Sequence, residues 1–226
     1  IDAASLCSEL TNNNIRWHYF THSGDGEVYI PHTYCKNMKV NTDETRQYYL
    51  SPHTNWSDYQ GDEMMTLGTF DFAYKLPPVP AGTYEIRMGY SANNARHIVQ
   101  FYIDGEVAGI PVDLRLLGNS PTINWIADAN TEDNGIANDK EMKNRGYLKG
   151  STIVRAYNET TLARDDNSTL RKVITTKYLS EGEHWIRFKN VNDQDDGNAQ
   201  FMHDYFEIVP VTYLRNENLS LAEKRQ

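Results

Sequence analysis

The chain has 226 residues, 39% of them hydrophobic and 23% charged, the balance of a folded domain large enough to hold its own core. Its 31 acidic residues against 22 basic ones leave a net charge of −9 and a pI near 5.2, which argues against a nucleic-acid or anionic-membrane partner. No apolar run is long enough to cross a bilayer as a helix, and two cysteines, Cys7 and Cys35, are too few for a disulfide framework or a zinc knuckle.

Those two cysteines either pair with each other or remain as buried thiols. The chain begins at Ile1 rather than Met, which predicts a piece of a longer, processed protein. Ala3–Leu10 reads as a short helix, and residues 1–65 as N-terminal strands followed by a loop. That loop, Ser51–Glu63, is polar and carries Trp56 and Tyr59 beside Asn55 and Asp58.

From there a period of two dominates, the signature of strands with one buried face. In Thr69–Leu76 the residues Phe70, Phe72, Tyr74 and Leu76 point one way; a turn is expected over Pro77–Gly82. Thr83–Tyr90 follows with Tyr84, Ile86, Met88 and Tyr90 on one face. After Asn93-Asn94-Ala95-Arg96-His97 comes a strand through Val99, Phe101 and Ile103, which Asp104-Gly105 turns back into Glu106–Ile110 as a tight hairpin. Gly118–Gly150 is a second long loop, with Trp125, an acidic run over Asp128–Asp133 and a short helix over Asn138–Asn144. Thr152–Tyr157, Leu170–Leu179, Glu183–Asn190 and Asp204–Val211 are further strands, and residues 212–226 form a polar tail. The whole predicts an all-β, antiparallel jelly-roll sandwich with long loop insertions and little helix, in one domain over 1–226 with its core in 66–211.

Four segments carry a resemblance. Ala81-Gly82-Thr83-Tyr84-Glu85-Ile86-Arg87, Val99 through Gly105, Glu181-Gly182-Glu183-His184-Trp185-Ile186-Arg187-Phe188 and Asp204-Tyr205-Phe206-Glu207-Ile208-Val209-Pro210 together resemble the galactose-binding-like jelly rolls, which include malectin-like domains and carbohydrate-binding modules. Ile1–Arg16 and Asn138–Gly150 are similar to the C-terminal domains that follow fasciclin repeats in surface lipoproteins of Bacteroidetes. The first resemblance implies the fold. The second implies a secreted, outer-surface protein and brings no catalytic residues with it. The Gly118–Gly150 insertion departs from ordinary carbohydrate-binding modules, so their binding site is either covered or moved here.

Sugars stack their C–H faces on exposed aromatic rings while amides, carboxylates and guanidinium groups bind the hydroxyls. Trp56, Asp58, Tyr59, Asn93, Asn94, Arg96 and Trp125 form the candidate ligand set on that chemistry. The competing reading puts the indoles inside the ends of the sandwich and makes Asn93–His97 an ordinary turn. Trp185, Arg187 and Lys189 share the outward side of their strand, where alkyl stems covering an indole would be purely structural. Neither Asp128–Asp133 nor Asp193–Gly197 keeps the spacing of a helix–loop–helix calcium loop, so solvated turns are expected and no metal or cofactor is assigned. No nucleophile elbow, zinc-binding helix or phosphate loop is present, so no catalytic residue is assigned either. The expected function is non-catalytic binding of a glycan or other surface polymer at the cell surface. The alternative is a structural or adhesion domain that contacts protein.

Overall fold

The computed structural model describes residues 1, 27–30, 37–42, 46–50, 63–128, 135–150, 155–158, 161–163, 168–192 and 199–214. Within them two antiparallel sheets pack face to face. The larger orders its strands β1 (Glu27–Ile30), β3 (Arg46–Leu50), β4 (Glu63–Leu67), β14 (Gln200–Pro210), β6 (Gly82–Ser91), β12 (Thr169–Leu179) and β9 (Tyr147–Lys149). The smaller orders β2 (Met38–Val40), β5 (Asp71–Val79), β13 (Gly182–Asn190), β7 (Ile98–Ile103) and β8 (Glu106–Asp113). A separate hairpin joins β10 (Arg155–Asn158) to β11 (Thr161–Ala163), and α1 (Ile136–Asn144) is the one α-helix among the described residues. The fold is the all-β sandwich that the alternation predicted.

The inward rows meet as a slab of aromatic and branched side chains. Phe72, Tyr74 and Leu76 of β5 face Ile86, Met88 and Tyr90 of β6, with Val99, Phe101, Ile103, Ile186, Phe201 and Phe206, all buried. Phe188 sits among rings, with centroids of Phe72, Phe201, Phe206 and Phe101 at 5.1, 5.3, 5.4 and 5.6 Å. Burying each such side chain contributes roughly 1.5–3 kcal/mol, so this slab dominates the stability of the sandwich. His203 lies inside it, its Nε2 3.1 Å from the Tyr74 hydroxyl.

Local chemistry sets the turns. Asp104 (φ 52°) and Gly105 (φ 84°) both adopt positive φ, as a two-residue hairpin turn requires, and join β7 to β8. The expected turn over Pro77–Gly82 is shorter than its composition suggested, because β5 continues through Pro77 and Pro78 to Val79. Among the described residues β2 pairs with β5 only alongside Phe72, Ala73 and Tyr74, so at the two prolines that edge meets no described partner strand whose ladder a missing donor would break.

The outward face of the larger sheet is closed off by its own side chains. Arg87 binds Glu85 at 2.5 Å and Glu207 at 3.1 Å, and Glu207 in turn accepts from Arg171 at 3.2 Å. The Tyr205 ring lies on Gly89 so closely that any Cβ there would strike it.

The long Gly118–Gly150 stretch also differs from the expected loop. It contributes α1 and β9, and β9 pairs with β12 through Tyr147, Leu148 and Lys149, extending the larger sheet by one strand.

Candidate functional site

Four of the seven residues of the expected ligand set, Asn93, Asn94, Arg96 and Trp125, lie among the described residues. Trp56, Asp58 and Tyr59 lie outside the described residues. Asn93 and Asn94 are exposed on the connection between β6 and β7, where the Asn93 Oδ1 accepts the Ala95 N–H at 3.1 Å. Arg96 was expected to offer its guanidinium to a ligand; instead it is 4% exposed. Its Nε donates to the Ser91 carbonyl at 2.9 Å, its Nη2 to the Ser91 hydroxyl at 3.3 Å and its Nη1 to the Gln200 side chain. Main-chain bonds from His97 to Gln200 (3.0 Å) and from Gln200 to Ala95 (2.8 Å) complete a staple between this connection and β14. Hydrogen bonds to a charged group contribute roughly 1.5–3 kcal/mol each, so Arg96→Ala is expected to destabilise the fold by about 2–4 kcal/mol. An unchanged urea midpoint for that variant would return Arg96 to the ligand-binding set.

Trp125 is likewise corrected. It is 9% exposed and packs in the core rather than forming a platform. The insertion folds back over it. Trp125 N–H donates to the Gly118 carbonyl at 2.8 Å, and Asn138 on α1 clasps the neighbouring main chain by accepting from Ile126 N–H (2.9 Å) and donating to the Asn124 carbonyl (2.8 Å). Beneath it, the Lys149 Nζ reaches Asp128 at 2.7 Å, both side chains fully buried. Asp128 thus answers an internal ammonium. Among the described residues no three His, Cys, Asp or Glu side chains gather as metal ligands.

The outward face of the five-stranded sheet has a different character. Alternation places Lys39 (β2), Asp71 and Lys75 (β5), Trp185, Arg187 and Lys189 (β13) and Tyr102 (β7) on the side opposite the core, and register aligns them in rows. One row runs Lys39, Ala73, Arg187, Tyr102, Val107 across all five strands; the next pairs Lys75 with Trp185, and a third pairs Asp71 with Lys189. Both rings are half-buried.

Arg187 organises the centre. It holds Asp71 in a two-point pair, Nε to Oδ1 and Nη2 to Oδ2, each 2.6 Å, and its guanidinium carbon lies 4.6 Å over the Tyr102 ring. Lys39 places its Nζ 3.8 Å over Trp185, and Lys75 reaches Glu183 at 3.1 Å. Burial alone would raise the Asp71 carboxyl, but hydrogen bonds from Arg187 and Asn41 outweigh it and hold the group below the usual carboxylate range. The Asp71 partner in turn raises Arg187 further above its ordinary value despite partial burial. The face therefore offers two aromatic rings, a fixed guanidinium–carboxylate pair and three ammonium groups.

The period of β13 gives Trp185, Arg187 and Lys189 directly, where the sequence alone suggests a structural covering of the indole by alkyl stems. Tyr102 and Asp71 were recoverable from the alternate positions of their strands. Lys39 carried no signal, because three residues of β2 are too few for a pattern.

No protein-family profile matches the chain, and no curated protein matches its sequence. Among solved structures, a xanthan lyase from Paenibacillus overlaps 76% of this chain at 12% identity with a TM-score of 0.43. An exo-β-1,3-galactanase from Phanerochaete chrysosporium, solved with β-1,3-galactotriose, overlaps 82% at 13% identity and a TM-score of 0.31. The catalytic domain of an α-1,3-glucanase, in complex with tetrasaccharides, overlaps 84% at 14% identity and a TM-score of 0.33. The chain spans 12%, 30% and 29% of those three structures respectively, and overlap of this quality says nothing about its ligand or reaction.

Proposed function

We propose that the chain is a non-catalytic glycan-binding module of a cell-surface protein, and that the outward face of the five-stranded sheet is its binding surface. The observation that carries this reading is the placement of two half-buried rings, Trp185 and Tyr102, on the same face of adjacent strands beside the Arg187–Asp71 pair. Aromatic rings at a sheet face suit the C–H faces of pyranoses. A guanidinium already fixed by two bonds to a carboxylate keeps its remaining N–H donors in a defined plane for hydroxyl groups.

Lys39 covers Trp185 in the free protein, and magnitudes decide whether a sugar displaces it. A cation over an exposed ring contributes about 0.5–1 kcal/mol, whereas a ligand ring stacked on an aromatic contributes about 1–3 kcal/mol. Stacking outweighs the intramolecular contact, and the four-carbon lysine stem swings aside without disturbing the sheet. Because the site is open and sugar hydroxyls compete with water, affinities of roughly micromolar to millimolar are expected.

A second reading, a protein-contact surface, draws on the same residues, since Trp, Tyr and Arg are enriched at protein interfaces. Affinity electrophoresis through gels containing soluble polysaccharides separates the two. Retardation by at least one polysaccharide is expected, with Trp185→Ala weakening it about tenfold to a hundredfold on the stacking scale and Tyr102→Ala weakening it less. Well-folded Trp185→Ala and Tyr102→Ala variants that migrate as the wild type does in every retarding gel would move the site elsewhere.

A further inference from the structure

We propose that this face, taken as the glycan-binding surface, selects acidic polysaccharides, with the ammonium groups of Lys39 and Lys189 receiving the carboxylates of uronate sugars. The inference rests on that reading of the face and adds the charge of its ligand.

The chain as a whole carries −9, yet this face reverses the sign locally. Among the described residues four cations, Lys39, Lys75, Arg187 and Lys189, stand against three acids, Asp71, Glu183 and Asp104, the last bonded to the Trp185 main chain. All three acids are already engaged, Asp71 by Arg187, Glu183 by Lys75 and Asp104 by His184. Among the described residues no carboxylate pairs with Lys39 or with Lys189. Lys39 lies 3.8 Å over the Trp185 ring, and Lys189 lies opposite Asp71 and feels its charge, but both oxygens of that carboxylate are held by Arg187.

Ligand stacking sharpens the point. A neutral pyranose on Trp185 displaces Lys39 and leaves its ammonium facing water. A uronate places a carboxylate at the rim of the same stacked ring, where the displaced ammonium becomes its counter-ion. Lys189 lies four residues along β13 from Trp185, about 13 Å at the rise of a strand, so a sugar chain running along β13 meets one ammonium near each end of the face. The residues between them, Arg187 and Tyr102, supply a further guanidinium and a second ring. Nucleic acid is a poorer fit, because the negative potential of the rest of the chain opposes a long polyanion of high charge density.

The test compares wild type with Lys39→Ala, Lys189→Ala and the double variant, and with Lys177→Ala on the other sheet as control. Each is run in affinity gels containing polygalacturonate, alginate, neutral galactan, neutral β-glucan or duplex DNA, at low and at high salt. Retardation by the two uronate polymers is expected to exceed that by the neutral ones and to weaken with salt. The double variant should lose roughly threefold to tenfold in affinity for the uronates, the scale of two surface ion pairs, while Lys177→Ala should match the wild type. Equal retardation by neutral and uronate polymers, indifferent to salt and to both lysines, would overturn the acidic preference and leave glycan binding at Trp185 standing. Retardation by no polysaccharide would overturn both, and retardation by DNA that matches the uronates would show a general polyanion surface and overturn the selectivity.

Discussion

Replacing Lys149 by methionine is expected to lower the melting temperature by on the order of 10 °C, the largest effect of any single change outside the aromatic core. The Lys149 and Asp128 side chains are both fully buried and 2.7 Å apart, with Asp139 a further 3.6 Å from the same Nζ. Such a pair contributes little net stability when intact, because desolvating two charges offsets their attraction. Removing one partner is another matter, since the remaining charge stays in a low-dielectric site. That costs about 3–5 kcal/mol, and in a chain of this length each kcal/mol moves the transition by a few degrees. Space is also tight: Gly135, at φ 80°, lets the chain pass so close to the pair that a Cβ there would collide with the Asp128 carboxylate. The double change Lys149→Met with Asp128→Leu should recover most of the loss. A single variant that melts within 2 °C of the wild type by calorimetry would show that the pair is wet.

Stability should fall as pH drops from about 6.5 towards 4, and His203 is the group responsible. Complete burial among Phe188, Phe201 and Phe206 disfavours its charged form and pushes its pKa down to about 3. The unfolded chain takes up a proton on this residue near pH 6.5 that the native protein refuses. Stability is therefore complete above that pH and is lost as pH falls, at about 1.4 kcal/mol per pH unit, or about 3 kcal/mol by pH 4.3. Asp71 and Asp113, both held below the usual carboxylate range, add their losses only at lower pH.

His184 acts with the opposite sign. Burial lowers its pKa, but the Asp104 carboxylate at 2.6 Å and the Ser180 carbonyl at 2.9 Å prevail and raise it, so its contribution is present below pH 6.5 and fades as pH rises above that. In His203→Gln, which keeps an acceptor for the Tyr74 hydroxyl, urea denaturation should show a flattened slope between pH 4.5 and 6.5. An identical slope in that variant would mean that His203 titrates normally.

How much of this was legible depended on whether a strand has one wet face. β5, β7 and β13 alternate because one side meets the core, β6 alternates in polarity although both its sides are buried because Glu85 and Arg87 pair on its outer side, and Asp104-Gly105 marks its turn by chemistry that few other dipeptides supply. β4 and β9 do not alternate. Met64, Met65 and Thr66 are all buried, as are Tyr147, Leu148 and Lys149, so neither run has a period to detect. The fate of Trp125 was hidden for another reason: what buries it lies far along the chain, with Asn138 reaching back 14 residues and Lys149 pairing across 21. Arg96 was misjudged similarly, since its partner Gln200 is 104 residues distant. The sheet face was half visible. Trp185 announced a position, but only the register of β13 against β7 and β5 turned it into a surface.

The pair Pro77-Pro78 bears on how the molecule behaves in a crowd. Past the end of β2, no strand among the described residues pairs with that edge of β5, and an unpaired edge invites a strand from another copy. Lys75 donates its N–H to Asn37 on this edge, so the next position whose N faces outward is Pro77, which has no N–H to offer, and an approaching strand finds an acceptor without a donor there. If copies of this protein are concentrated side by side along a polymer, that short stretch keeps them from fusing into a shared sheet and so protects against aggregation.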